Sequence, residues 1–395
     1  MIQSEFRRSA IKLLETTAPL GLLIAGLLAI VILGHLSGAQ AWNIVLTEML
    51  IRVVVVVGIY MFVGNSGIIS FGHIGFMCIG AYGAAWATVS PEWKEVMLVG
   101  LPLFLQGREY PFIIASIGGA TLAACVALIL GCAIMRLSGI AASIASFAFM
   151  AIVHSVYSNW DSVTAGTSSI IGIPTVVDAW IALAFAALAI CAVFLYQRTR
   201  TCLLLRCSRD DEIAAQSSAI SIFRVRLVTF VGSAFVVGLG GALQAHFLGI
   251  LTTNIFYLDL TFITLAMLVV GGMRSLSGAV VGVVVVTGIV TLLRAGEAGL
   301  PFAQWTMKLP LGSQQIGLAV TMALVLVFRP TGITRGRDLS LPFSLSQTVR
   351  SASSARARLG EVKTPSMSAM LANKSAGMRH MTDPSIAPHE PNGQE

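Results

Sequence analysis

NIVLTEMLIRVVVVVGIYMFV, residues 43–63, is an almost unbroken apolar run holding one acid and one base. A helix needs about 20 such residues to cross a hydrocarbon layer about 30 Å thick. Similar runs recur near 18–36, 68–89, 111–135, 139–157, 178–196, 226–248, 256–272, 276–293 and 311–328. None of them alternates polar and apolar residues over about ten positions, as a strand of a membrane barrel does. Backbone groups in lipid must be bonded within their own segment, which leaves helices. The expected fold is therefore all-α, a polytopic transmembrane helical bundle of about ten spans.

Composition agrees with this reading. Hydrophobic residues make up 56% of the chain and charged residues 11%, where soluble domains carry about 25% charge; mean hydropathy is +0.85. The net charge of +7 comes from basic residues between apolar runs and near the C-terminus. They form no aromatic-interleaved stripe, so membrane lipid rather than nucleic acid is the expected partner.

Alternating the loops separates the basic residues by side. Arg7, Arg8, Lys12, Arg136, Arg198, Arg200, Arg206, Arg209, Arg224, Arg226, Arg274 and Arg329 fall on one side, and Lys94, Arg108, Arg294 and Lys308 on the other. The excess of Lys and Arg on cytoplasmic loops puts the first set, with both termini, in the cytoplasm. The run at 18–36 exceeds a signal peptide's apolar region of about 7–15 residues, so an uncleaved first span is expected. The expected divisions are a cytoplasmic segment at 1–17, a transmembrane domain at 18–330 and a disordered cytoplasmic tail at 331–395. The tail is rich in Ser, Ala, Arg and Pro and lacks apolar periodicity.

Four of the six cysteines, Cys78, Cys125, Cys132 and Cys191, lie in apolar runs, and Cys202 and Cys207 share a polar loop without metal-ligand spacing. Free thiols are expected, with no metal and no cofactor. Glu48 and Arg52 stand four apart inside a span, on one helix face. They read either as a polar lining of a path or as an ion pair near the outer interface.

Three segments depart from plain apolar helix. GNSGIISFGHIGFMCIGAYGAA, residues 64–85, is dense in glycine, which lets backbones approach closely and weakens regular helix. Ser70, Gly72 and His73 would then face polar space, although a helix–helix hydrogen bond explains an intramembrane His equally well. GGMRSLSGAVVG, residues 271–282, repeats the pattern at Gly271 and Gly272. Paired Gly-interrupted segments point to a translocation path, and glycine at this frequency also serves helix contact. The third is the long hydrophilic stretch from Gln197 to Arg226. There Ser208 is expected to cap a short cytosolic helix that begins with Asp210, Asp211 and Glu212. Docking to a soluble partner suits such a helix, and so does a solvated linker.

No catalytic motif is present: GxxxxGK[ST], HExxH and GxSxG are all missing. Few acids lie within the apolar runs, so the usual relay of a proton- or sodium-coupled carrier is lacking. A non-catalytic chain driven by a separate engine is expected.

These segments resemble the permeases of branched-chain amino acid ABC transporters, in particular the larger leucine–isoleucine–valine type. The family's G-x-x-G-x-x-S-x-G-H-x-x-F followed by G-A-Y is matched by Gly64, Gly67, Ser70, Gly72, His73, Phe76, Gly80, Ala81 and Tyr82. Its R-[DE]-x-E-x-A-A loop is matched by Arg209, Asp210, Glu212, Ala214 and Ala215. Phe230, Ser233, Ala234, Gly238, Gly241, Ala242 and Leu243 match a third run; Ile173 and Pro174 match a fourth loosely, and Phe328, Pro330 and Gly332 match the ending. The likeness covers roughly residues 40 to 335. Departures fall at Ala219, where the family has Gly, and at Met273, Arg274 and Ala279 in the second glycine segment.

The resemblance implies a permease subunit in a bacterial inner membrane that moves branched-chain amino acids inward. Its implied partners are ABC ATPase subunits, a second permease subunit, identical or different, and a periplasmic solute-binding protein. Arg209, Asp210, Glu212, Ala214 and Ala215 would couple to the ATPase; Ser70, Gly72, His73, Gly271 and Gly272 would lie near the path. Two other readings remain: a permease for urea or short amides, and a self-sufficient channel or secondary carrier.

Overall fold

A computed structural model describes residues 2–336 except 37, 39, 299, 303, 304, 308, 309, 311, 330 and 335; for 2–17, 298, 300–302, 305–307 and 326 it describes the backbone alone. Thr17–Ser340 forms one unit, distinct from residues 1–16 and 341–395. Pro330 and nearly all of the expected tail lie outside the described residues, as do the side chains of Arg7, Arg8, Lys12 and Lys308.

The chain runs α1 (Ile2–Leu36), α2 (Gln40–Ser66), α3 (His73–Thr88), α4 (Pro91–Met97), α5 (Leu103–Gln106), α6 (Phe112–Ile134), α7 (Gly139–Asn159), α8 (Asp161–Thr164) and β1 (Ile170–Ile171). It continues through α9 (Ala179–Gln197), α10 (Arg200–Asp210), α11 (Glu212–Ser217), α12 (Ile222–Leu248), β2 (Ile250–Leu251), α13 (Leu258–Gly271), α14 (Leu276–Ala298), β3 (Leu300–Phe302), β4 (Trp305–Met307) and α15 (Ser313–Phe328). The fold is all-α, and the only strands among the described residues are two short antiparallel pairs, β1 with β2 and β3 with β4.

Every expected span meets a helix. Among the described residues seven are long and apolar enough to cross a membrane: α1 from Ala18, α2, α6, α7, α9, α12 and α14. The remaining three, α3, α13 and α15, have 16, 14 and 16 residues. They reach only about 21–24 Å at 1.5 Å per residue. For α3 and α13 the shortfall has a visible cause, since glycine breaks border one end of each.

The centre is α2, whose residues from Leu46 to Ser66 are buried except at Glu48 and Arg52. A helix apolar on all sides must be surrounded by others, and α9, α12, α13 and α14 surround it. Glu48 and Arg52 form their ion pair within α2, both half-buried. A second three-helix contact joins α3, α6 and α12 through glycines: a Cβ on Gly80 would strike the Gly238 backbone, one on Gly119 the Gly80 carbonyl, and one on Gly241 the Met77 carbonyl. Backbones this close gain dispersion along their length, which drives helix association where lipid and side chain are equally apolar.

Candidate functional site

The first glycine segment breaks the helical path as expected. Gly67 adopts φ +74°, a left-handed conformation that ends α2 at little cost for glycine, and the chain stays non-helical to Gly72. The break is held by α7: the Phe71 amide donates to Ser146 Oγ over 3.1 Å, and Gly72 lies against the Ser146 carbonyl.

His73 opens α3 and is fully buried. Its Nε2 is 2.9 Å from Ser233 Oγ on α12, and its Nδ1 is 2.8 Å from Ser70 Oγ. Ser233 gives its own proton to the Phe230 carbonyl, so it accepts from Nε2–H, and the Ser70 hydroxyl donates to Nδ1. A neutral imidazole satisfies both bonds. The Phe62, Phe76 and Phe230 rings surround it at centroid distances of 5.7, 6.2 and 5.5 Å. Ser70, Gly72 and His73 are thus brought together as a post linking the break to α12. A second intramembrane histidine, His154 on α7, stacks on Tyr257 at 4.1 Å and leaves its buried Nδ1 without a partner. His246 on α12 bonds Thr88 Oγ1 on α3 over 3.0 Å.

Gly271 and Gly272 form the second break. Gly271 lies against the Gly278 carbonyl and Gly282, so α13 and α14 touch through small residues. Gly272 has φ +122°, and Ser275 caps α14 by accepting from the Gly278 amide over 3.0 Å. The chain after α15 returns to this point. The Ile333 amide donates to the Val270 carbonyl over 3.0 Å, Thr334 Oγ1 bonds the Gly271 carbonyl over 3.0 Å, and Gly332 sits against Gly272. Two motifs about sixty residues apart in sequence therefore make one knot. Gly64, at the end of α2, lies against the Met273 carbonyl, which puts both breaks at the same end of the bundle. Arg274 is exposed there.

The hydrophilic stretch forms two helices rather than one. Thr199 caps α10, and Asp211, not Ser208, caps α11: its Oδ1 accepts from the Ile213 and Ala214 amides over 2.9 and 3.0 Å. Ser208 lies inside α10 and donates to the Leu205 carbonyl. The carboxylate wins because Asp211 stands at the kink, with an extended backbone that aims its side chain at free amides.

The five expected coupling residues divide by role. Arg209 Nη1 donates to the Gly64 carbonyl over 2.9 Å, and its stem covers Gly67. Glu212 pairs with Arg226 of α12 over 3.0 Å, so an Arg at 212 would face another Arg and disturb the fold itself. Ala215 is buried, while Asp210 and Ala214 are exposed. Sequence reasoning missed the other half of the tie. Asn65, buried at the end of α2, accepts from Arg206 Nε over 2.8 Å and from Cys202 Sγ over 3.4 Å. It also missed Ile213, an apolar side chain 81% exposed beside Ala214; the mark was an isoleucine inside a polar loop. Burial pushes the Cys202 thiol pKa up, with Arg206 and Arg209 pulling it back.

Ala219 carries φ +59°. The Ile220 amide reaches the Ala215 carbonyl and the Ala219 amide the Gln216 carbonyl, the left-handed helix ending for which glycine is preferred. The departure noted at this position is thus a strained cap. Among the described residues no group of three or more His, Cys, Asp or Glu is placed to hold a metal ion.

A family model described as a branched-chain amino acid transport system permease component matches residues 42–328. The chain is 25% identical over 324 residues to the high-affinity branched-chain amino acid transport system permease protein LivM of Salmonella typhimurium, covering 73% of this chain and 68% of that protein. The same values hold for LivM of Escherichia coli. No solved structure matches.

Proposed function

The chain belongs to the branched-chain amino acid transport permease family, and from that premise we propose that it is the membrane-spanning subunit of an ATP-driven importer for branched-chain amino acids. It would sit in a bacterial inner membrane, with α10 and α11 on the cytoplasmic side. Its partners would be ABC ATPases, a second permease subunit and a periplasmic solute-binding protein. The chain supplies no hydrolytic step of its own.

One observation carries the mechanism: α10 is bonded to the last residues of α2, directly before the first break. The ATPase pair would grip the exposed face formed by Asp210, Ile213 and Ala214. ATP-driven closure then moves α10, and Arg206 and Arg209 pass the displacement to Asn65 and Gly64. Glu212 and Arg226 carry it in parallel to α12. A ligand shifts a two-state element only by its differential affinity for the two states, so the lever must be stiff.

The path would run beside the two breaks. Ser70, Gly72, Gly271 and Gly272 would lie beside it, at the breaks where helices give way to loop, with the Gly271 carbonyl already held by Thr334. His73 would shape it from behind, because its ring is closed in by phenylalanines. Proteoliposomes test the assignment. Leucine uptake should require ATP, the ATPase pair and the binding protein, and leucine should compete with isoleucine and valine but not with urea. Solute flux through this chain alone would overturn it in favour of a self-sufficient carrier.

A further inference from the structure

The two helices between α3 and α6, α4 of 7 residues and α5 of 4, are too short to span the membrane, yet their segment exposes Val96, Met97, Val99, Leu103 and Phe104. A contiguous apolar surface of this kind is covered by something other than water. Lys94 holds the segment in shape, its Nζ donating to the Leu105 and Arg108 carbonyls over 3.0 and 2.9 Å and to Ala87 over 3.4 Å. Between this segment and α3 and α6 lies a cavity of about 660 Å³.

We propose that this cavity binds an acyl chain of a membrane phospholipid. Ile114 and Leu122 of α6 line it and are also exposed on the outside of a membrane-crossing helix. The cavity wall is thus continuous with the surface that lipid already covers, and an acyl chain enters sideways. Trp86, Tyr110 and Trp160 line it too, and amphipathic rings of this kind settle at the membrane–water interface. Trp86 keeps a buried Nε1–H with no partner. That group is closed off within the protein, so the acyl chain is held by apolar contact alone. The size falls within the usual range of about 300–1,000 Å³ for ligand cavities.

The transported solute does not fit the same chemistry. A zwitterionic amino acid would shed its water against apolar walls, with no compensating ionic partner among the lining residues. Headgroup charge is not what selects the occupant, because exposed Arg108 is followed by exposed Glu109. The site holds the α4–α5 segment against α3 and α6 by filling the space between them.

The test uses the full chain in nanodiscs of phosphatidylethanolamine and phosphatidylglycerol doped with a phospholipid bearing a diazirine in mid-chain. After illumination, adducts on residues 83–87 and 101–105 should exceed those on the lipid-facing side of α7, around Ile140 and Ile144, several-fold. A Cβ at Gly118 meets no atom within 4 Å, so Gly118→Phe puts a ring into the space without moving backbone. It should cut the cavity adducts several-fold and leave those on α7 unchanged. Leu122→Trp, from the same wall, serves if the first variant does not fold, with the unfolding midpoint as the check. Equal labelling of cavity and α7, or cavity labelling that survives both substitutions, overturns the site. Loss of the cavity adducts when the binding protein or a second permease subunit is added would give the cavity to a protein and also overturn it.

Discussion

Arg209→Ala removes the guanidinium that joins α10 to the end of α2. Its Nη1 bond to the Gly64 carbonyl is 2.9 Å long and partly buried, and a hydrogen bond from a charged group contributes about 1.5–3 kcal/mol. The pairing with Asp210 is largely exposed and adds little. At about 1.4 kcal/mol per tenfold change, the linkage between α10 and α2 should weaken roughly ten- to hundred-fold. In proteoliposomes holding the whole importer, leucine taken up per ATP hydrolysed should fall by that order while hydrolysis continues. Arg224→Ala is the control, because Arg224 is exposed and its Nε bonds Ser221. Unchanged uptake per ATP, or hydrolysis falling in step with uptake, would refute transmission through Arg209.

Ala219→Gly should relieve a left-handed alanine by about 1 kcal/mol, slowing hydrogen exchange of the Ile220 amide roughly fivefold; faster exchange would contradict the cap. Gly80→Leu forces a side chain into the Gly238 backbone and should cost at least about 1–3 kcal/mol, read as a lower unfolding midpoint in detergent. His73→Phe leaves the Ser70 hydroxyl without its partner, a loss of about 1–3 kcal/mol, whereas His73→Gln should recover part of it in the same measurement. Burial pushes the Lys94 ammonium below its ordinary value of 10.5, with Glu109 opposing. Its folded pKa is thus the lower one, so the fold gains stability as pH climbs from that lowered value toward the ordinary one. Lys94→Met should flatten the climb in midpoint against pH.

Much of this architecture was legible from hydropathy. Apolar length locates helices because lipid leaves the backbone no other partner, and each expected run is helical. What hydropathy alone did not resolve was where glycine interrupts it: the run at 68–89 becomes a helix only from His73, since Gly67 turns left-handed and Gly72 closes against Ser146. The run is apolar either side of the interruption, so a window average passes over it. Contacts between segments were harder still. Glu212 read as one of three acids opening a short cytosolic helix and as a coupling residue, yet it neutralises Arg226, a residue counted among the loop charges and found buried on α12. Asn65 carried no signal at all, because one amide ending an apolar run is ordinary; its meaning lies in the arginine that arrives from α10. Ser208 lost the cap to Asp211 because the kink between α10 and α11 was not visible as a break in polarity.

The central claim is that work enters this chain through α10 and α11 at its inner face. A photoreactive benzoylphenylalanine at Ile213, compared with one at Ile171 on β1, tests it in membranes containing the intact importer. Illumination should join position 213 to the ATPase, in amounts that change with ATP, and leave position 171 free of it. An ATPase adduct at 171, or none at 213, would contradict it.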